Sequence, residues 1–178
     1  SNNYCHLDLK IENVLLDKDF KIKLTDFGFS QPIEKDSLLF KKAGTASCRP
    51  PEMWKFGPEF VGFDGVKADI FQLGVLLYIF VAGIPPFGEA HYGDLWYRPV
   101  IAGKWEMFWS LKEKAAKLKK LVPQVFDEDF KTLIAQLLCV DSCFRPTIEG
   151  IRESAWYKKT TPATMEEVIE EMSARKNK

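Results

Sequence analysis

Cysteine is scarce in this chain, with four among 178 residues, at Cys5, Cys48, Cys139 and Cys143. So few and so scattered a set builds no disulfide framework, and the Cys139–Cys143 pair lacks the second ligand pair that a structural zinc site needs. Reduced thiols in an intracellular, cytoplasmic setting are the expectation. An excess of one charge is missing too. The 25 basic residues balance 25 acidic ones, which removes any whole-chain attraction to nucleic acid or an anionic membrane surface. No apolar run is long: Leu73–Ile84 has 12 residues and meets Pro85-Pro86, short of the ~20 that cross a bilayer, so a buried core helix is expected there. The opening Ser1-Asn2-Asn3-Tyr4 has no basic start leading into an apolar stretch, the mark of a secretory leader. Repeats and low-complexity tracts are absent. What is present is a globular composition, 46% hydrophobic and 28% charged, which excludes disorder and a collagen-like fibre.

Along the chain, Asn13–Leu16, the polar turn Asp17-Lys18-Asp19 and the alternating Lys21–Leu24 predict a two-stranded hairpin. From Gly28 to Pro51 no period is sustained, and a loop of that length is a functional or mobile one. Helices are predicted from Pro51, over Val66–Ala82, His91–Ala102 (with Pro99 as a defect near its end), Asp127–Val140, Thr147–Glu153 and Thr164–Arg175. Trp96, Trp105 and Trp109 read as core, and the lysines of Lys112–Lys120 as a solvated face.

Three segments carry chemistry: His6–Asn13 (HLDLKIEN), Asp26-Phe27-Gly28, and Gly44–Glu52 (GTASCRPPE). Asp8, Lys10 and Asn13 share one loop, and the hairpin separates them from Asp26. An amide oxygen from Asn13 and a carboxylate from Asp26 make a hard-oxygen set suited to Mg²⁺, which is usually completed by substrate phosphates. Lys10 would neutralise a transferring phosphoryl group, and Asp8 would accept a hydroxyl proton.

These segments resemble the eukaryotic protein kinases. The family's H-R-D-x-x-x-x-N loop is similar to His6–Asn13 with Leu7 in place of Arg, and its D-F-G to Asp26–Gly28, 18 residues beyond Asp8. Its A-P-E resembles Pro50-Pro51-Glu52, and its D-P-x-x-R-P-T resembles Asp141–Thr147. The resemblance spans roughly residues 4 to 157. It implies Asp8 as catalytic base, with Lys10 and Asn13 beside it as catalytic residues, and ATP and Mg²⁺ as cofactors. Asn13 and Asp26 would hold the metal, and Leu15 would form part of the floor beneath adenine. Thr45 would lie in the pocket for the residue after the phosphorylated one. Structural roles fall to His6, Phe27, Asp69 (which would hold the catalytic-loop backbone), and an ion pair of Glu52 with Arg145. Lys10 with Thr45 is the serine/threonine-kinase pairing, and Asp26–Ser30 leans towards the calcium/calmodulin-kinase-like group.

The fold class that follows is mainly α (α+β overall): a kinase C-terminal helical lobe over 1–157, with a small β-hairpin bearing the catalytic loop and DFG segment, and a charged helical tail over 158–178. The partners implied are a protein substrate and ATP, with no nucleic acid and no membrane insertion. The family's Gly-rich loop and strand lysine belong to an N-terminal lobe expected upstream of Ser1. Without that lobe, weak ATP binding and no phosphotransfer are expected. A truncated or pseudokinase-type interaction module is the competing reading; a hydrolase pairing Asp8 with Asp26 has no supporting motif. Leu7 cannot pair with a phosphorylated loop residue as the family's Arg does.

Overall fold

The axis of the fold is α1 (Gly65–Ala82), seen here in a computed structural model that describes residues 3–34, 37–118 and 126–176. Asp64 caps it, its carboxylate accepting the Val66 and Lys67 amides at 2.8 and 3.1 Å. The helix is 18 residues long and, by length and composition alone, apolar enough to cross a membrane. It is nonetheless a core element, with buried residues on several faces, including Ala68, Phe71, Val75 and Tyr78.

Helix α2 spans Arg98–Ile101, α3 Trp105–Leu118, and α4 Glu128–Leu137. Asp127 caps α4, which buries Phe130, Leu133, Ile134 and Leu137 at the spacing of one helical face. That face meets α1 at Gly74, where a Cβ would stand 2.7 Å from the Leu137 Cβ; only glycine allows so close an approach. Phe87, Tyr97, Val100, Phe108 and Trp109 complete the main core. Short helices α5 (Ile148–Glu153) and α6 (Ala155–Lys159) follow, with Thr147 and Ser154 as caps, and Trp156 packs against the core. Helix α7 (Met165–Lys176) ends the described chain.

Strands β2 (Val14–Leu16) and β3 (Ile22–Leu24) form the predicted hairpin, in register Val14↔Leu24, Leu15↔Lys23 and Leu16↔Ile22. Its turn is tied by Asp17 Oδ1, which accepts the Asp19 and Lys21 amides, both at 2.9 Å. Two shorter strands, β1 (Tyr4–Cys5) and β4 (Gln31–Pro32), pair antiparallel. A second apolar cluster of Cys5, Leu7, Ala43, Met53, Phe63 and Ala68 joins the start of the chain to the long loop and to α1. The four cysteines are free thiols.

Four expectations need correction, the first being Trp96, which reads as core in the sequence and is 40% exposed. The stretch from His91 to Ala102 is a helix only at its end. Asp94 takes the Gly88, Glu89, Trp96 and Tyr97 amides onto its carboxylate and so folds the chain as a turn. Pro99 then lies in the first turn of α2, where its missing N–H costs nothing, rather than near a helix end. Pro51–Trp54 is a single 3-10 turn rather than the start of an α-helix. The lysine run is the C-terminal part of α3, whose start at Trp105 supplies core residues; Lys112 is buried, and Lys119 and Lys120 lie outside the described residues.

Candidate active site

The loop His6–Asn13 is held from below by two side chains one turn apart on α1. Asp69 accepts the His6 amide at 2.6 Å and the Leu7 amide at 2.7 Å. Gln72 donates to the Leu7 carbonyl at 3.0 Å and accepts the Leu9 amide at 2.8 Å. Four backbone groups of one loop are thus satisfied by two side chains, which holds Leu7 in a left-handed conformation (φ 64°) that leucine rarely adopts. Burial pushes the Asp69 carboxyl above its usual value, against the two amides that favour its ionised form. Gln72 is absent from the residues that the sequence motifs point to; its spacing of three from Asp69 on a helix is the available signal.

His6 is wedged into the same loop. Its Nδ1 accepts the Asp8 amide at 3.2 Å, so the ring proton sits on Nε2 and is donated to the Thr25 carbonyl at 3.0 Å. The His6 ring lies 5.0 Å from that of Phe27. Both residues therefore tie the loop to the Asp26–Gly28 segment.

Asp8 is fully buried, and its carboxylate is the junction of the site. Oδ1 accepts the Thr45 amide at 2.7 Å, while Oδ2 receives Lys10 Nζ at 2.7 Å and Asn13 Nδ2 at 3.3 Å. Lys10 Nζ also donates to Thr45 Oγ1 at 2.8 Å. Burial alone would raise the Asp8 carboxyl; the hydrogen bonds from Lys10 and Thr45 outweigh it and hold the group below the ordinary aspartate value. The Lys10 ammonium is held up in turn, first by the bond to Asp8 and further by the charges of Glu12 and Asp26. Thr45 arrives here because Gly44 (φ 82°) passes the Leu7 carbonyl so closely that a Cβ would stand 2.1 Å from the oxygen.

Asn13 is buried, and its amide nitrogen also donates to the Asp8 carbonyl at 2.9 Å. That orients its Oδ1 away from Asp8, and no described residue donates to it. Asp26 is exposed at φ 60°, with Oδ1 accepting the Gly28 amide at 3.3 Å. Asn13 and Asp26 are linked through the backbone by the Thr25 amide on the Asn13 carbonyl at 3.0 Å. An amide oxygen and a carboxylate with acceptor capacity to spare fit a hard divalent cation that keeps ligands from elsewhere. Leu15 is 49% and Phe27 61% exposed, on the side of the hairpin and turn away from the helical core.

Glu52 and Arg145 lock the far end of the segment. The contact is bidentate, at 2.6 Å (Nη1–Oε1) and 2.7 Å (Nη2–Oε2). Arg145 is 2% exposed and also donates to the Cys139 and Lys67 carbonyls, both at 2.9 Å. Its guanidinium stacks 4.9 Å from the Phe71 ring centroid.

Residues 1–157 match the family model described as "Protein kinase domain". The chain belongs to the protein kinase family. Among its relatives is CBL-interacting serine/threonine-protein kinase 5 of Arabidopsis thaliana, 32% identical over 182 aligned positions that take in 100% of this chain and 36% of the relative. CBL-interacting protein kinase 16 of Oryza sativa subsp. japonica is 32% identical over 157, covering 86% of this chain and 30% of the relative. The chain thus spans about a third of the length of the curated relatives it matches. As a kinase-family chain it is mainly helical, and serine/threonine kinases stand among its relatives.

Proposed function

We propose that this chain is the C-terminal lobe of a serine/threonine protein kinase, with residues 1–157 as the catalytic part and 158–178 as a charged tail that carries α7 (Met165–Lys176). The observation that carries the reading is the three-way junction of Asp8, Lys10 and Thr45 on a loop pegged by Asp69 and Gln72. Asp8 has one oxygen fixed by the Thr45 amide and the other poised between Lys10 and Asn13. From there it receives the proton of a substrate serine or threonine hydroxyl as that oxygen bonds to the γ-phosphorus of ATP and the bond from that phosphorus to the oxygen leaving with ADP breaks. Lys10 offers its ammonium to the charge gathering on the transferring group. Thr45 positions Lys10 and borders the ground on which the substrate chain lies. Asn13 Oδ1 and Asp26 would hold Mg²⁺, which would offset the negative charge of the nucleotide phosphates.

Leu15, Leu16, Ile22, Leu24 and Phe27 form an exposed apolar group on the hairpin and turn. In this reading they are the face that meets an N-terminal lobe, which supplies the rest of the phosphate clamp. The chain alone then binds ATP weakly and transfers nothing. The same apolar face also favours the alternative, a protein-interaction module without catalysis. A regulatory protein partner, of the kind the CBL-interacting relatives are named for, belongs to either reading.

Nucleotide binding separates the two. Calorimetry with Mg²⁺ and ATP should give weak or no binding to the chain alone. Binding should appear once the N-terminal lobe of the Arabidopsis relative is fused ahead of it, and Asp26→Asn should weaken it about tenfold or more, as losses at metal sites typically do. A fusion that folds and binds nucleotide equally well with and without the Asp26→Asn substitution would overturn the assignment.

A further inference from the structure

One peptide group joins the Asp8 loop to a cluster of positive charge. The Thr45 amide bonds the Asp8 carboxylate at 2.7 Å, and the carbonyl of the same peptide, that of Gly44, accepts Arg49 Nη2 at 2.9 Å. The peptide is trans, so its N–H and C=O point in opposite directions, and the guanidinium stands across a single peptide plane from Asp8. Two or three residues of an extended chain, at about 3.3 Å each, cover such a span.

Arg49 has company. The Lys42 ammonium lies 3.8 Å from the Phe56 ring centroid and 4.1 Å from that of Phe60, and it donates to the Lys55 carbonyl. Lys41, its neighbour in the chain, and Lys55 are exposed. Arg49 is half-buried, its guanidinium 5.1 Å from the Trp54 ring centroid. Among the described residues none of these four cations has a carboxylate partner. Between Leu38 and Phe56 the one acid is Glu52, and Arg145 takes it. Lost solvent and, after it, the charge of Arg49 press the Lys42 ammonium below the usual lysine value. Exposed rings lie among these charges: Phe40 is 66% and Phe56 69% exposed, and Phe40 meets Phe60 edge to face at 6.3 Å. Unmatched cations around exposed aromatic rings make a surface complementary to an acidic polypeptide.

We propose that Lys41, Lys42, Arg49 and Lys55 select the protein substrate by charge: on one side of the acceptor serine or threonine, within a few positions, it carries aspartate or glutamate side chains that pair with this cluster. The inference rests on the kinase reading above, since it takes the acceptor hydroxyl to Asp8. A basic segment in the same place is repelled, and a neutral one leaves the cations unmatched. Each pair contributes little by itself, because partly exposed ion pairs are screened by solvent and salt, so the selection comes from several acting together.

The test uses the chain fused behind the N-terminal lobe of the Arabidopsis relative and measures kcat/KM on three matched peptides. Each has one serine, flanked by glutamines on both sides, by glutamates only after it, or by glutamates only before it. One of the two glutamate peptides should exceed the glutamine peptide by about fivefold, the yield of one or two partly exposed ion pairs, and the gain should shrink as salt is raised to about 0.5 M. Lys41→Gln combined with Lys55→Gln, both at exposed side chains, should remove most of the difference between the favoured peptide and the glutamine one. Adding Lys42→Gln should remove more of it. Equal kcat/KM for all three peptides would overturn the proposal and leave the kinase reading standing. A preference for acid undiminished by the lysine substitutions, in fusions that fold, would overturn it as well. No labelling of any peptide would remove the kinase reading and this inference together.

Discussion

At the scale of single residues, Asp8 and Lys10 hold each other in their charged forms, and this has a definite pH signature. The folded state keeps Asp8 below its ordinary value of 3.8, so the stability it contributes is present above 3.8 and is lost as pH falls through the lowered value. Lys10 is raised above 10.5, so its contribution is present below 10.5 and disappears as pH rises through the higher value. The difference in Tm between the chain and Lys10→Met should therefore be flat across the neutral range and shrink at both extremes. A difference that grew on acidification would show that the two groups are not paired. Asp8, Lys10, Asn13 and Asp26 are legible as a group because the motif spacing puts them on one loop and one turn. What the spacing does not reveal is that Thr45 bonds both Asp8 and Lys10, since a contact across 37 residues depends on where Gly44 can pass.

Among the elements, α1 does two jobs with one surface: it anchors the core through its apolar residues and the catalytic loop through Asp69 and Gln72. The apolar run makes the helix readable, and Asp127 and Thr147 mark the starts of α4 and α5 by ordinary capping chemistry. The segment before α2 misleads because its apolar spacing is that of a helix, whereas the Asp94 carboxylate competes for the same amides. The lysine run of α3 is hard to read apart from Trp105, Phe108 and Trp109, which make the same helix a core element. The Glu52–Arg145 pair joins two such elements across 93 residues. Arg145→Met leaves Glu52 partly buried with no counter-charge and should cost about 3–5 kcal/mol in chemical denaturation. Glu52→Gln alone should also destabilise. The double variant should cost less than the sum of the two. Additive costs would mean that the pair is not coupled.

For the whole molecule, the second apolar cluster replaces a device that the family's motif builds from charge. Leu7 is fully buried against Ala43, Met53 and Phe63, so the long loop is fastened by packing at the position from which an arginine would reach a phosphate. Ser37 lies on that loop with its hydroxyl on the Glu34 carbonyl at 3.0 Å. Ser37→Ala, in the chain joined to an N-terminal lobe, should leave the phosphotransfer rate unchanged. A large loss restored by Ser37→Glu would mean that the loop is ordered by phosphorylation after all. On the proposed function, the apolar group at Leu15, Leu16, Ile22, Leu24 and Phe27 and the buried junction at Asp8 belong to one scheme, in which this lobe would supply the base and a partner lobe the remaining grip on ATP.

The measurement that bears most directly on that scheme is transfer of radiolabelled γ-phosphoryl from Mg²⁺-ATP to a serine- or threonine-containing peptide by the same fusion. The prediction is label on the peptide, a fall of about 10²–10⁴-fold with Asp8→Asn in a fusion that still folds, and none from the chain without the added lobe. Transfer that is undiminished in Asp8→Asn would contradict it.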